Sequence, residues 1–186
     1  MRPLHLPDRI ILEQTIIPAL DYGNVCGNVC FVGTDKHTDH YPSLFSQASL
    51  FILNKDGNRF LEGSVQNLLG NLQDLDKIAG KNFFDVIIAN GLAGYGTDTP
   101  EEVEKCFNGA YESLKIGGIF VWGWSDSSHL RIIDPIFINH HFRPYLFNLL
   151  GTWRYSTILA YDPTIQYHAT IERIINQNHT FDFYKK

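Results

Sequence analysis

Short apolar runs that close on glycine or a polar residue, with helical stretches between them, constrain this chain more than any other feature. Asn28-Val-Cys-Phe-Val-Gly33, Leu50-Phe-Ile-Leu53, Asp85-Val-Ile-Ile-Ala89 and Ile119-Phe-Val-Trp122 are rich in Val, Ile and Phe. Runs this short and this apolar suit strands buried on both faces, the condition of a parallel sheet covered by helices. Between the runs the period changes. Pro7 to Tyr22 carries Ile10, Ile11, Gln14, Ile17 and Leu20 near helical spacing, with Pro18 expected to kink or shorten the helix and Gly23 to stop it. Thr38 to Ala48 groups Tyr41, Leu44, Phe45 and Ala48 on one side and predicts a second helix.

The helix over 100–114 is the best signalled. Thr99 is an N-cap, Pro100 takes the first helical position and Glu102 completes a capping box. Val103, Phe107, Ala110 and Leu114 form its apolar stripe, and Gly117-Gly118 is expected to end it. Phe60-Leu61 reads as a very short third strand, followed by Gly63-Ser-Val65. Thr152–Ala160 and Thr180–Tyr184 read as strands without intervening helices, hence an antiparallel edge. The predicted class is α/β: a Rossmann-like three-layer αβα sandwich, mostly parallel, with an antiparallel C-terminal edge.

Composition narrows the function classes. The 186 residues include 44% hydrophobic and 19% charged, which fits one globular domain with a real core. Twenty acidic residues against 15 basic ones count against nucleic-acid binding, which leaves a basic footprint. Residues 1–130 hold 9 Lys/Arg and 16 Asp/Glu, whereas residues 131–186 hold 6 and 4, so the last part is mildly basic. Met1-Arg-Pro-Leu-His lacks the apolar core of a signal peptide, and no 18-residue apolar run exists. The expectation is therefore no membrane and a cytoplasmic setting. Cys26, Cys30 and Cys106 are an odd count, and Cys26-x3-Cys30 is not a zinc-ribbon spacing. Asp35, His37, Asp39 and His40 spread around a helix start, so no metal is expected.

In an open parallel sheet the ligand lies beyond the carboxyl ends of the strands. The segments there are Gly33-Thr-Asp-Lys-His-Thr38, Asn54-Lys-Asp56, Gly63-Ser-Val65 and Asn90-Gly-Leu-Ala-Gly-Tyr-Gly96. Phe84-Asp-Val-Ile-Ile-Ala-Asn-Gly-Leu92, followed by Ser113-Leu-Lys-Ile-Gly-Gly-Ile-Phe-Val121, resembles the class I S-adenosylmethionine-dependent methyltransferases. A small bacterial branch resembles it further through Phe31-Val-Gly33, Gly94-Tyr-Gly96 with Thr99-Pro-Glu-Glu102, and His179-Thr-Phe-Asp-Phe-Tyr184.

The resemblance implies S-adenosylmethionine as cofactor. Gly33, Thr34, Asp35, His37 and Thr38 would then pass its methionine part. Asn54, with Lys55 and Asp56, would meet the ribose; Gly63, Ser64 and Val65 the adenine; Asn90, Gly91 and Leu92 the floor beneath the sulfonium. The single domain, 1–186, divides on this reading into an N-terminal helix (1–24), a cofactor-binding half (28–124) and an acceptor-side half (125–186).

This chain departs from the family pattern in four places. The glycine-rich loop is reduced to Gly33, the ribose acid is Asn54 unless Asp56 replaces it, the adenine acid is Ser64, and Ile116 stands for a proline. Two readings follow: a methyltransferase acting on a small-molecule or cell-envelope acceptor, or a non-catalytic binding or scaffold protein. A nicotinamide-dependent oxidoreductase would need Gly-x-Gly-x-x-Gly after the first strand, which is missing.

Tyr95, in the loop over the acceptor, is a candidate to stack on it or hydrogen-bond to it; packing on its own loop is the alternative. His129 is a candidate general base, since imidazole titrates near working pH, with a helix-start histidine as the alternative. The predicted partner is a small-molecule acceptor, and the surplus of aromatics makes a homodimer a candidate to complete its pocket.

Overall fold

The computed structural model describes residues 6–22, 27–125, 135, 138–144, 165–166, 173–176 and 179–186. His129, Cys26 and the strand expected over 152–160 lie outside the described residues.

The N-terminal helix runs as α1 (Pro7–Ile11), a π turn (Leu12–Ile16) and α2 (Ile17–Tyr22). Pro18 neither ends nor shortens it. A π turn ends two residues before the proline, with Ile17 N–H reaching back to the Leu12 carbonyl. This wider turn lets the helix carry a residue that has no N–H to donate.

β1 (Asn28–Val32) pairs in parallel with β2 (Ser49–Asn54), and β2 with β3 (Gln66–Leu69). The chain then passes through the short α3 (Leu75–Ala79) and returns to the other side of β1. There β4 (Phe84–Asn90) pairs in parallel with β1 and with β5 (Leu114–Ser125), the two joined by α4 (Pro100–Ser113). β6 (Arg143–Pro144), β7 (Ile165–Gln166), β8 (Arg173–Asn176) and β9 (His179–Lys185) complete the sheet. The order is β3-β2-β1-β4-β5-β9-β8-β7, with β6 also on β9, and every pairing after β5 is antiparallel. The chain reverses direction across the sheet between β1 and β4, which makes their carboxyl ends the switch point.

Period-two burial divides the core into two layers. Val29, Phe31, Val86, Ile88, Ile119 and Val121 face Leu12, Ile16, Ile17 and Leu20 of the N-terminal helix. Their neighbours Cys30, Val32, Ile87, Ala89, Phe120 and Trp122 face Leu75 of α3 and Val103, Phe107 and Ala110 of α4. Each fully buried aliphatic or phenyl group contributes about 1.5–3 kcal/mol, so both helical layers are held by apolar burial. The three-layer αβα class is the one the alternation predicts. Among the described residues, no helix is long and apolar enough to cross a membrane.

Three local expectations are corrected. The helix expected over 38–48 is two 3-10 turns, Lys36–Thr38 and Tyr41–Leu44. Side chains hold the backbone in those turns. Asp35 and Thr38 form a reciprocal cap, Ser43 bonds the His40 carbonyl at 2.6 Å, and the Asp21 carboxylate takes Ser46 N–H and Gln47 N–H. Such bonds compete with a helix ladder. Secondly, Phe60-Leu61 is no strand: Asn67 bonds both backbone groups of Leu61, at 3.0 and 2.8 Å. Finally, Gly117 and Gly118 do not end α4; they lie inside β5, which starts at Leu114.

Candidate functional site

The carboxyl ends of β1, β2, β3, β4 and β5 open into one cavity of about 1050 Å3. Two glycines open it at the switch point. Gly33 N–H bonds the Leu53 carbonyl at 2.9 Å, extending the β1–β2 pairing, and then turns away at φ 78°. Gly91 does the same against β5, bonding the Gly123 carbonyl at 2.9 Å before turning at φ 73°. A Cβ on Gly91 would meet nothing within 4 Å, so the missing side chain leaves open space beside the backbone.

Most of the residues expected at the site meet there. Gly33, Thr34, Asp35, His37, Thr38, Asn54, Lys55, Asp56, Asn90, Gly91, Leu92 and Tyr95 all line the cavity. Gly63, Ser64 and Val65 do not, and their expected place is corrected. They precede β3 and therefore lie at its amino end; Gly70, Asn71 and Leu72, which follow β3, line the cavity instead.

The β2 end is polar and tied to backbone. Asn54 Nδ2 donates to Thr34 Oγ1 at 2.6 Å and to the Arg59 carbonyl at 3.2 Å, and Thr34 Oγ1 donates to that same carbonyl at 2.7 Å. The amide nitrogen is thereby committed, and Oδ1 is left as the side chain's acceptor. Asp56 caps the turn after β2, its Oδ1 accepting from Asn58 N–H at 2.9 Å. Asp35 pairs with Arg59 at the rim, and its carboxyl is held below the usual range by the Lys36 N–H foremost, with Arg59 assisting. Lys55 Nζ reaches across the mouth to the Tyr95 carbonyl at 3.4 Å, while the Tyr95 side chain is 79% exposed.

The β4 end is buried and interlocked. His179, at the start of β9, places Nε2 at 2.8 Å from Asn90 Oδ1 and Nδ1 at 3.0 Å from Ser125 Oγ. An amide oxygen only accepts, so this network puts the ring proton on Nε2 and lets Nδ1 accept from the Ser125 hydroxyl. Burial pushes the His179 pKa down to about 4, with the Arg9 charge adding to the effect and Asp8 opposing it. Gly123 stands opposite Asn90 in the β4–β5 register, and a Cβ there would overlap Asn90 Oδ1. The glycine gives the amide its seat.

The N-terminal helix closes one side. Arg9 Nη1 donates to the Tyr41 hydroxyl at 2.7 Å, and Nη2 lies 3.2 Å from His37 Nε2. His37 is held below its ordinary pKa by burial first and by Arg9 second. Cys106 also lines the cavity, but burial raises its thiol to about 11, which keeps it protonated and unreactive. The acids and histidines around residues 35–40 go to separate partners, Asp35 to Arg59, His37 to Arg9 and His40 to Glu13. Among the described residues no group of three or more His, Cys, Asp or Glu gathers to hold a metal ion.

Arg9, Ser125 and His179 are cavity residues that sequence reasoning did not find. Arg9 and His179 come from opposite ends of the chain, and only the sheet order brings both to the switch point.

No protein-family model matches the chain, and no curated protein matches it by sequence. Solved structures do match in fold. A SAM-dependent methyltransferase from Archaeoglobus fulgidus aligns with TM-score 0.57 at 12% identity, over 97% of this chain and 92% of its own. A protein from Pyrococcus horikoshii aligns with TM-score 0.57 at 14% identity, over 96% and 89%. The N-methyltransferase NodS from Bradyrhizobium japonicum aligns with TM-score 0.52 at 11% identity, over 92% of each chain. The fold is that of SAM-dependent methyltransferases.

Proposed function

We propose that this chain is an S-adenosylmethionine-dependent methyltransferase acting on a small-molecule or cell-envelope acceptor. One observation carries the reading. The cavity is centred on the β1–β4 switch point, and the glycine at each of these two strand ends turns the backbone away from it. An extended nucleoside ligand lying across the strand ends needs the space this leaves beside the backbone. Asn54 Oδ1 and the Asp56 carboxylate are the acceptors available for ribose hydroxyls. Gly33, Thr34, Asp35, His37 and Thr38 line the path for the methionine part, Asn90 to Leu92 form the floor, and Gly70 to Leu72 replace residues 63–65 as the adenine wall.

When bound, the cofactor supplies a methyl group already activated on a sulfonium. The chain's task is then to align the acceptor, and alignment alone lowers a barrier substantially. Ser125 and Asn90, locked to His179, are fixed polar groups at the floor. A second copy of the chain is the candidate to complete the acceptor side, and a cytoplasmic setting belongs to the same reading.

A second reading, a binding or scaffold protein without turnover, draws on one feature. Asn54 puts a neutral amide where a charged acceptor would hold ribose hydroxyls more strongly, by about 1 kcal/mol. Isothermal titration with S-adenosylmethionine and S-adenosylhomocysteine tests the cofactor site. Saturable heat is expected, and no heat at millimolar ligand would sink the proposal. Binding without methyl transfer to any small-molecule pool would favour the scaffold.

A further inference from the structure

We infer that His179 is a positioning residue that turns the donor side of the Asn90 amide into the cavity, so that the atom methylated there is an oxygen and not an amine nitrogen. The acceptor class rests on the methyltransferase reading; the orientation of the amide does not. Asn90 stands at the carboxyl end of β4, on the cavity wall, and is only 9% exposed. His179 Nε2 takes its Oδ1 at 2.8 Å. Its Nδ2 finds no partner among the described residues and is not sealed from solvent, so its N–H groups meet the open cavity.

Two arrangements of this network are chemically allowed, and they show the ligand opposite faces. In one, Nε2–H donates to Oδ1 and Nδ1 accepts from the Ser125 hydroxyl, leaving the amide nitrogen to the cavity. In the other, every donor and acceptor is exchanged and Oδ1 faces the ligand. The structure has the first. A ring kept neutral by burial has a single N–H and holds one arrangement at a time. Asn90 at one ring nitrogen, Ser125 at the other and the Phe181 ring 4.7 Å away between centroids keep the imidazole from turning.

A donor face selects nucleophiles by their lone pairs. A neutral amine has one, which must attack the methyl carbon. If that pair accepts from Nδ2–H it cannot attack; if it does not, the amine N–H groups confront other donors. A hydroxyl has two pairs, as does each carboxylate oxygen, so one accepts from Nδ2 while another forms the new O–C bond. The C–S bond breaks and its electron pair returns to sulfur. A hydroxyl gives its proton to water, and a carboxylate has none to lose.

Long-range nitrogen–proton NMR correlations of the free protein at neutral pH read the ring directly, the His179 signals being those missing from His179→Gln. A proton on Nε2 is expected; a proton on Nδ1, or on both nitrogens, overturns the inference. Methyl-labelled S-adenosylmethionine and a protein-free metabolite extract then report the acceptor. The label is expected on oxygen, released by alkali if the acceptor is a carboxylate and retained if it is a hydroxyl. Label on nitrogen overturns the acceptor class. His179→Phe keeps a ring but no N–H and should lower kcat/KM about tenfold, whereas His179→Gln, which can still donate to Oδ1, should recover most of it. Full activity in His179→Phe overturns the positioning role, and should that variant not fold, the ring tautomer and the labelled atom carry the test. If no methyl is transferred at all, the methyltransferase reading falls alone, and the tautomer still decides which face of Asn90 the cavity meets.

Discussion

The two ends of the cavity are built on different principles. At the β2 end, Asp35, Arg59, Lys55 and Asp56 are exposed side chains hung on turns, and only Asn54 and Thr34 are buried. At the β4 end, Asn90, Ser125 and His179 are locked into one network beneath the helix that carries Arg9. Water screens the first set and is excluded from much of the second. The same type of contact therefore has unequal weight at the two ends, and substitutions that probe each end should separate by size.

The largest effect belongs to His179. Its folded pKa is about 4, against 6.5 for the free side chain, because burial disfavours the charged ring. Between those values the unfolded chain binds more protons than the folded one, so stability falls as the pH is lowered through this window. The loss is complete near pH 4 and amounts to about 3 kcal/mol, since each pKa unit corresponds to about 1.4 kcal/mol. Denaturant unfolding of wild type and His179→Gln across pH 7 to 4 should converge by roughly that amount. Parallel curves would show that His179 titrates normally, and that the β4 end is as wet as the β2 end.

An intermediate effect is expected at Asn54, the buried member of the open end. Replacing it with an acid, a stronger acceptor for ribose hydroxyls on the proposed reading, looks like a repair. The structure points the other way. Asn54 Nδ2 donates to Thr34 Oγ1 and to the Arg59 carbonyl, and a carboxylate would offer those oxygens no donor. Asn54→Asp should lose about 1–3 kcal/mol of unfolding free energy by denaturation, the cost of unsatisfied buried polar groups. Unchanged stability with tighter S-adenosylhomocysteine binding would mean that the loop simply re-pairs, and that the two ends differ less than their burial suggests.

The same contrast explains what could be read from the sequence. β1, β2, β4 and α4 were legible because their signals are local: uniform apolar runs, and a capping box in which Thr99 and Glu102 bond each other's backbone. β3 reads Gln-Asn-Leu-Leu and lies half-exposed on the sheet edge, so neither an apolar run nor clean alternation marks it. Missing β3 shifts the segment expected at its carboxyl end by one whole connection, to 63–65 where the structure has 70–72. The β2 end is contiguous in sequence, and Asn54, Lys55 and Asp56 were found together. The β4 end gathers Arg9, Asn90, Ser125 and His179, residues up to 170 positions apart, and periodicity carries no record of such a meeting. His179 belongs to a tail motif whose only sequence signal is a resemblance. Arg9 sat in the first turn of a helix read for its apolar face.

The smallest effect tests the open end from its surface. Asp35 and Arg59 form an ion pair between the turns after β1 and β2, which invites the conclusion that it staples the two loops together. Its partners are 48% and 41% exposed, however, and exposed pairs gain little in water and lose that gain to salt. The loops have a better-sheltered tie in Thr34, Asn54 and the Arg59 carbonyl, which involves the Arg59 backbone and not its side chain. Arg59→Met should therefore leave the denaturation midpoint unchanged within error, both at low salt and in molar sodium chloride. A clear destabilisation that disappears at high salt would show the exposed pair to be structural. The division between a screened end and a sheltered end would then have to be redrawn around Arg59.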